Sequence, residues 1–178
     1  MPPDLSFLIP ARHEEFLART IEDVLTQTHE RCDVIAVLDG AWAEPPIPKH
    51  PRVTVIYLPE ARGQRAATNV AATVADTPYL CKLDAHCGVD EDFDLKILAT
   101  IEPEWTVIPA QYNLHAFDWV CSDCGHRSYQ GRTPTACEAC KSETPQTKDI
   151  LWKPKPRQRT EFWRMDLEPK FAYWPEFK

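Results

Sequence analysis

An open α/β fold is what this sequence predicts: a mostly parallel sheet with helices on both faces, plus a small four-cysteine zinc ribbon. Three observations point to it. Apolar, β-branched runs alternate with segments of helical periodicity through the first hundred residues. Polar motifs fall where those runs end, and two CxxC pairs appear further along.

The elements follow in order. Leu5 to Ile9 is a short apolar run ended by Pro10, as expected of a buried strand. Leu17, Ile21, Val24 and Leu25 recur at helical spacing and put one apolar stripe on a helix from about Glu14 to Thr28. Asp33 to Leu38 is a second β-branched run, closed by Asp39-Gly40. A proline-rich loop from Glu44 to Pro51 leads to a third strand, Val53 to Leu58. Gly63 to Ala75 is alanine-rich and helix-prone, and Tyr79 to Leu83 is a fourth strand ending at Asp84. Phe93 to Thr100 reads as a further helix, followed by a strand near Trp105 to Ile108. Strands separated by helices in this way make a sheet whose ligands sit beyond its carboxyl ends. Pro10-Ala11-Arg12, Asp39-Gly40 and Asp84-Ala85-His86 all lie there.

Composition narrows the class. A chain of 178 residues with 43% apolar residues is long enough for one cored domain carrying a small module. No run approaches the roughly 18 to 20 apolar residues of a membrane helix. The start, Met1-Pro2-Pro3-Asp4, lacks the basic and apolar regions of a signal peptide, so a soluble, cytoplasmic protein is expected. The formal charge of −7 argues against a surface that coats nucleic acid broadly. Of the seven cysteines, four fall in CxxC pairs, and Cys32, Cys81 and Cys87 are scattered. Without a signal peptide, that pattern favours metal and reduced thiols over disulfides.

Two donors two residues apart at a strand end, Asp84 and His86, can share one divalent cation. A carboxylate with an imidazole suits manganese, or magnesium in its place, bridging a diphosphate. Asp39 can accept the N–H of a uracil ring or a ribose hydroxyl. Arg62 and Arg65 flank Gly63 just before a helix, where they could hold a pyrophosphate.

The motifs IPARHEE (Ile9 to Glu15), VLDGA (Val37 to Ala41), ARGQRAATNVA (Ala61 to Ala71) and LDAHC (Leu83 to Cys87) stand in an order that resembles the family-2 glycosyltransferases with the GT-A (Rossmann-like) fold. The Asp-Ala-His form particularly resembles the polypeptide N-acetylgalactosaminyltransferases. The likeness covers roughly residues 5 to 110. It implies transfer of a sugar from a UDP-sugar, through a divalent metal, to a hydroxyl acceptor. It also implies that Pro10, Ala11, Arg12 and Glu14 line the nucleotide pocket and that Asp39 faces the uracil. Arg62, Gly63 and Asn69 would lie near the nucleotide, with Asp84 and His86 on the metal and diphosphate. Three positions depart from the pattern: Thr68 stands where many relatives have arginine, Leu38 replaces the first aspartate of Asp-Asp-Gly, and Gly88 replaces an acidic residue. Residues 118 to 178 show no counterpart of the acceptor-side region, and no residue is assigned as catalytic base.

Cys121-x2-Cys124 and Cys137-x2-Cys140 form two thiolate knuckles that can close a tetrahedral zinc site, with Gly125 relieving the turn of the first. Four protein ligands leave no open position, so this zinc is structural, and His126 is a bystander. The organisation expected is therefore a nucleotide-sugar-binding α/β domain (1–117), a zinc ribbon insertion (118–145) and a basic, aromatic C-terminal segment (146–178), the last on the acceptor side. Between Lys148 and Arg164 lie six basic and two acidic residues, interleaved with Trp152, Phe162 and Trp163. That stretch leaves two alternatives open. One is a zinc-ribbon nucleic-acid-binding protein, with a hydroxylated base in DNA as a hybrid acceptor. The other is an inactive nucleotide-sugar-binding subunit that needs a partner chain.

Overall fold

A computed structural model describes residues 4–29, 31–158, 163–165 and 171–173. The chain divides into two units, Met1–Val107 and Ile108–Lys178.

The first unit is a four-stranded parallel sheet of β1 (Leu5–Ala11), β2 (Cys32–Asp39), β3 (Val53–Leu58) and β4 (Tyr79–Lys82) in the order β3-β2-β1-β4. Its helices are α1 (Leu17–Gln27), α2 (Gln64–Val74) and α3 (Phe93–Leu98). Alternation along the strands explains the layering. Phe7, Ile9, Val34, Ala36 and Leu38 meet Leu17, Ile21 and Val24 of α1 on one face, with Phe93 packed against them. Leu8, Ile35 and Val37 meet Ala67 and Ala71 of α2 on the other. The central strands are therefore buried on both faces, and all seven residues of β1 are buried, as parallel sheets require. Each large side chain such as Ile21, at 0% exposure, contributes about 1.5–3 kcal/mol by burial.

Pro10 does not end β1; the strand runs on to Ala11. Pairing with β4 stops at Leu8↔Lys82, so no rung on that side needs the N–H that proline lacks. The strand expected near Trp105 to Ile108 is absent. Those residues are unpaired coil between Pro103 and Pro109, and Trp105 and Ile108 are 58% and 79% exposed. A four-residue run that buries so little apolar surface has nothing to hold it in a sheet.

The second unit holds an antiparallel sheet of β5 (Tyr112–Val120), β6 (Arg127–Tyr129) and β7 (Thr147–Gln158) in the order β6-β5-β7, and a separate pair, β8 (Trp163–Met165) with β9 (Phe171–Tyr173). Residues 108–117, expected to close the first domain, belong here instead, because β5 pairs along its length with β7. Within the basic, aromatic stretch, positions 159–162, including Phe162, lie outside the described residues. No described helix is long and apolar enough to cross a membrane.

Candidate functional site

Each residue expected near the nucleotide sits at the carboxyl edge of the parallel sheet or on the elements bordering it. Pro10 and Ala11 are the buried last residues of β1, and Arg12 and Glu14 follow in the loop to α1. Asp39 ends β2. Arg62 and Gly63 directly precede α2, whose first two turns carry Arg65 and Asn69 on exposed positions. Asp84 and His86 lie just beyond β4.

Asp39 is only 3% exposed, and its carboxylate is already employed. One oxygen accepts the Arg62 N–H at 2.7 Å and the other the Gly63 N–H at 2.8 Å. Where a contact with uracil was expected, the carboxylate makes a structural one, which ties the start of α2 to the end of β2. Gly40 makes that approach possible. Its φ is +77°, and a Cβ there would stand 2.7 Å from the Ala61 nitrogen. Gly40→Ala is therefore expected to cost about 2–3 kcal/mol, through a left-handed backbone and a backbone clash together. Chemical denaturation checks it, and an unchanged midpoint would mean that the 58–63 loop moves away freely.

Asp84 and His86 engage different neighbours. Asp84 Oδ1 accepts Gln64 Nε2 at 2.9 Å and pairs with the ammonium of Lys82. The hydrogen bond from that ammonium holds the Asp84 carboxyl below the ordinary carboxylate range, so Asp84 is ionised at neutral pH. His86 Nδ1 instead meets Glu14 Oε2 at 3.3 Å. A proton on Nδ1 donated to Glu14 leaves the Nε2 lone pair outward, the arrangement in which a histidine presents itself to a metal. Both side chains are about half-exposed, on neighbouring positions just beyond β4.

Sequence reading missed two participants: Lys82 and Gln64 hold Asp84. Lys82 carried a signal that could have found it: it is the only charged residue of its strand, two places before Asp84 and so of the same parity.

The sulfurs of Cys121, Cys124, Cys137 and Cys140 all lie within 4.8 Å of one another. Among the described residues they are the only such group of three or more metal-ligating side chains. Cys121–Cys140 and Cys124–Cys137 are each 3.7 Å apart, close to the ~3.8 Å edge of a tetrahedron with Zn–S arms of about 2.3 Å. The two knuckles have the same backbone pattern. Cys121 N donates to His126 O and Gly125 N to Cys121 O; Cys137 N donates to Ser142 O and Lys141 N to Cys137 O. The turn residue is left-handed in both, Gly125 at φ 70° and Lys141 at φ 63°. His126 takes part through its carbonyl, not its ring.

The model of the family described as Glycosyl transferase family 2 matches residues 6–120. The chain belongs to glycosyl transferase family 2. A search of curated proteins finds no match. Membership in this family makes glycosyl transfer the chemistry to which the carboxyl-edge residues are referred, and a nucleotide-sugar donor the ligand class. The match covers the parallel sheet from Ser6 onward and continues through β5, ending at Val120, immediately before Cys121.

Proposed function

We propose that the carboxyl edge of the parallel sheet binds a UDP-sugar with a divalent cation, manganese or magnesium, and that the sugar passes to a hydroxyl acceptor. The observation that carries this reading is the pair formed by the ionised Asp84 and a His86 oriented by Glu14, in a family-2 glycosyltransferase chain. Asp84 and His86 would hold the cation, whose bound charge offsets the negative charge growing on the departing diphosphate. Arg65 on α2 would add positive charge to the same phosphates, and the exposed N-terminal turn of α2 favours them too. Arg12, beside the buried end of β1, would border the nucleoside. The four thiolates would hold a structural zinc that completes the second unit.

Thermal unfolding with UDP and a panel of UDP-sugars, each with and without Mn²⁺, tests the donor site. Ligand at about 100 times its dissociation constant adds about 2.7 kcal/mol, a rise of roughly 5–10 °C. Asp84→Ala is expected to remove the Mn²⁺-dependent part of that rise. No response to any nucleotide from the folded, zinc-loaded protein would overturn the donor reading. Salt-dependent binding of an oligonucleotide in its place would favour the nucleic-acid alternative.

A further inference from the structure

Lys82 Nζ is held by the same Asp84 oxygen that accepts Gln64 Nε2. Lys82 also lines, with Gln64, Arg65, Thr68 and Asn69, an open depression of about 360 Å³. That lining has two cations, three neutral polar side chains and no carboxylate. Asp84, just beside it, is therefore the nearest charge that balances Lys82.

This leaves Asp84 with two claimants. An ammonium seated on a carboxylate oxygen competes with a divalent ion for that carboxylate, because both draw on the same negative charge. A cation on Asp84 displaces Lys82 or weakens its pairing, and Lys82 and Arg65 are then left facing a depression without an anion. A diphosphate is what such a place accepts: it is multiply charged, and both an ammonium and a guanidinium pair with its oxygens.

Resting on the donor-site reading above, we propose that Lys82 is an exchangeable counter-ion. It sits on Asp84 in the free protein and moves to the donor's diphosphate when a divalent cation takes Asp84. Lys82 and Arg65 are then the diphosphate subsite, and cation and donor load cooperatively. Each ligand releases the group that the other uses, so the coupling is reciprocal.

The experiment measures Mn²⁺ binding by electron paramagnetic resonance of the free ion, and UDP, pyrophosphate and uridine binding by calorimetry. It uses the full chain and its Lys82→Met and Lys82→Arg variants. Losing an exposed ion pair should let Lys82→Met bind Mn²⁺ alone about two- to fivefold tighter than wild type. With Mn²⁺ present the same variant should bind UDP and pyrophosphate roughly 10- to 100-fold more weakly, the equivalent of one charged hydrogen bond, with uridine unaffected. Lys82→Arg should keep most of the coupling. Lys82→Met that binds Mn²⁺ no tighter than wild type, or UDP as well as wild type, overturns the exchange. A wild-type chain that takes up neither Mn²⁺ nor UDP overturns the donor-site reading itself, so the two failures are distinguishable.

Discussion

Stripping the metal from the four-cysteine centre is expected to abolish the β5–β6–β7 sheet as an ordered unit. Cys121 follows β5 directly, Cys124 precedes β6, and Cys137 and Cys140 lie between β6 and β7, so one ion held by the four would fasten both connections of that sheet. Among the described residues few apolar side chains could replace it; Ala116, Phe117 and Trp119 are the buried ones apart from the cysteines. Structural zinc contributes about 10–16 kcal/mol in small zinc-dependent domains, more than such a core supplies. Hydrogen exchange before and after dialysis against a chelator, with zinc content measured alongside, reads the effect. Amides of Tyr112–Val120 should lose most of their protection, and Cys137→Ser should reproduce the loss. The ligands are thiolates, so their protonation opposes binding, and zinc should leave as the pH falls below neutral. A zinc-free protein that keeps its protection would show that the sheet stands without its staple.

Asp39→Ala is expected to be the most damaging single change in the parallel-sheet unit. It removes both acceptors from the Arg62 and Gly63 N–H groups, each a charge-assisted hydrogen bond of about 1.5–3 kcal/mol. A loss of about 3–5 kcal/mol follows, seen as a fall in Tm of roughly 10 °C or more. UDP response should fall with it, because the start of α2 is no longer held at the carboxyl edge. Asp39→Asn separates the two effects. It keeps one acceptor and should retain part of the stability, while an amide N–H placed against a backbone N–H leaves the loop displaced. A fully stable Asp39→Ala would mean that Arg62 and Gly63 find other acceptors and that Asp39 serves a ligand alone.

The parallel sheet was legible because its signals are local. Val53–Leu58 was read to the residue, and α1, α2 and α3 each begin and end within a few positions of expectation, since an apolar period is written along the chain itself. The run Trp105 to Ile108 failed for the complementary reason. Its β-prone residues say nothing about whether a partner strand lies beside them. The boundary at 107/108 was missed likewise, because only the pairing of Tyr112–Val120 with a segment some thirty residues later assigns it to the second unit. In the candidate site, spacing located Asp39, Asp84 and His86 at strand ends. What spacing cannot convey is which distant group each side chain meets: the Arg62 and Gly63 N–H groups at Asp39, Lys82 and Gln64 at Asp84, and Glu14 at the His86 ring. The cysteine centre is the opposite case. Two knuckles of identical spacing carry their own geometry, and the sulfurs gather as that spacing requires.

Those cross-links among loops have a thermodynamic consequence. Glu14 to His86 joins the loop after β1 to the loop after β4. Gln64 to Asp84 joins that loop to α2, and Asp39 joins the head of α2 to the end of β2. Three separate connections are thus laced together before anything arrives. Ordering a mobile side chain on association costs about 0.5–1.5 kcal/mol each, and a rim already laced has spent that freedom during folding. A molecule settling there keeps more of its contact energy as affinity, and its arrival should leave the loop backbone nearly where it was.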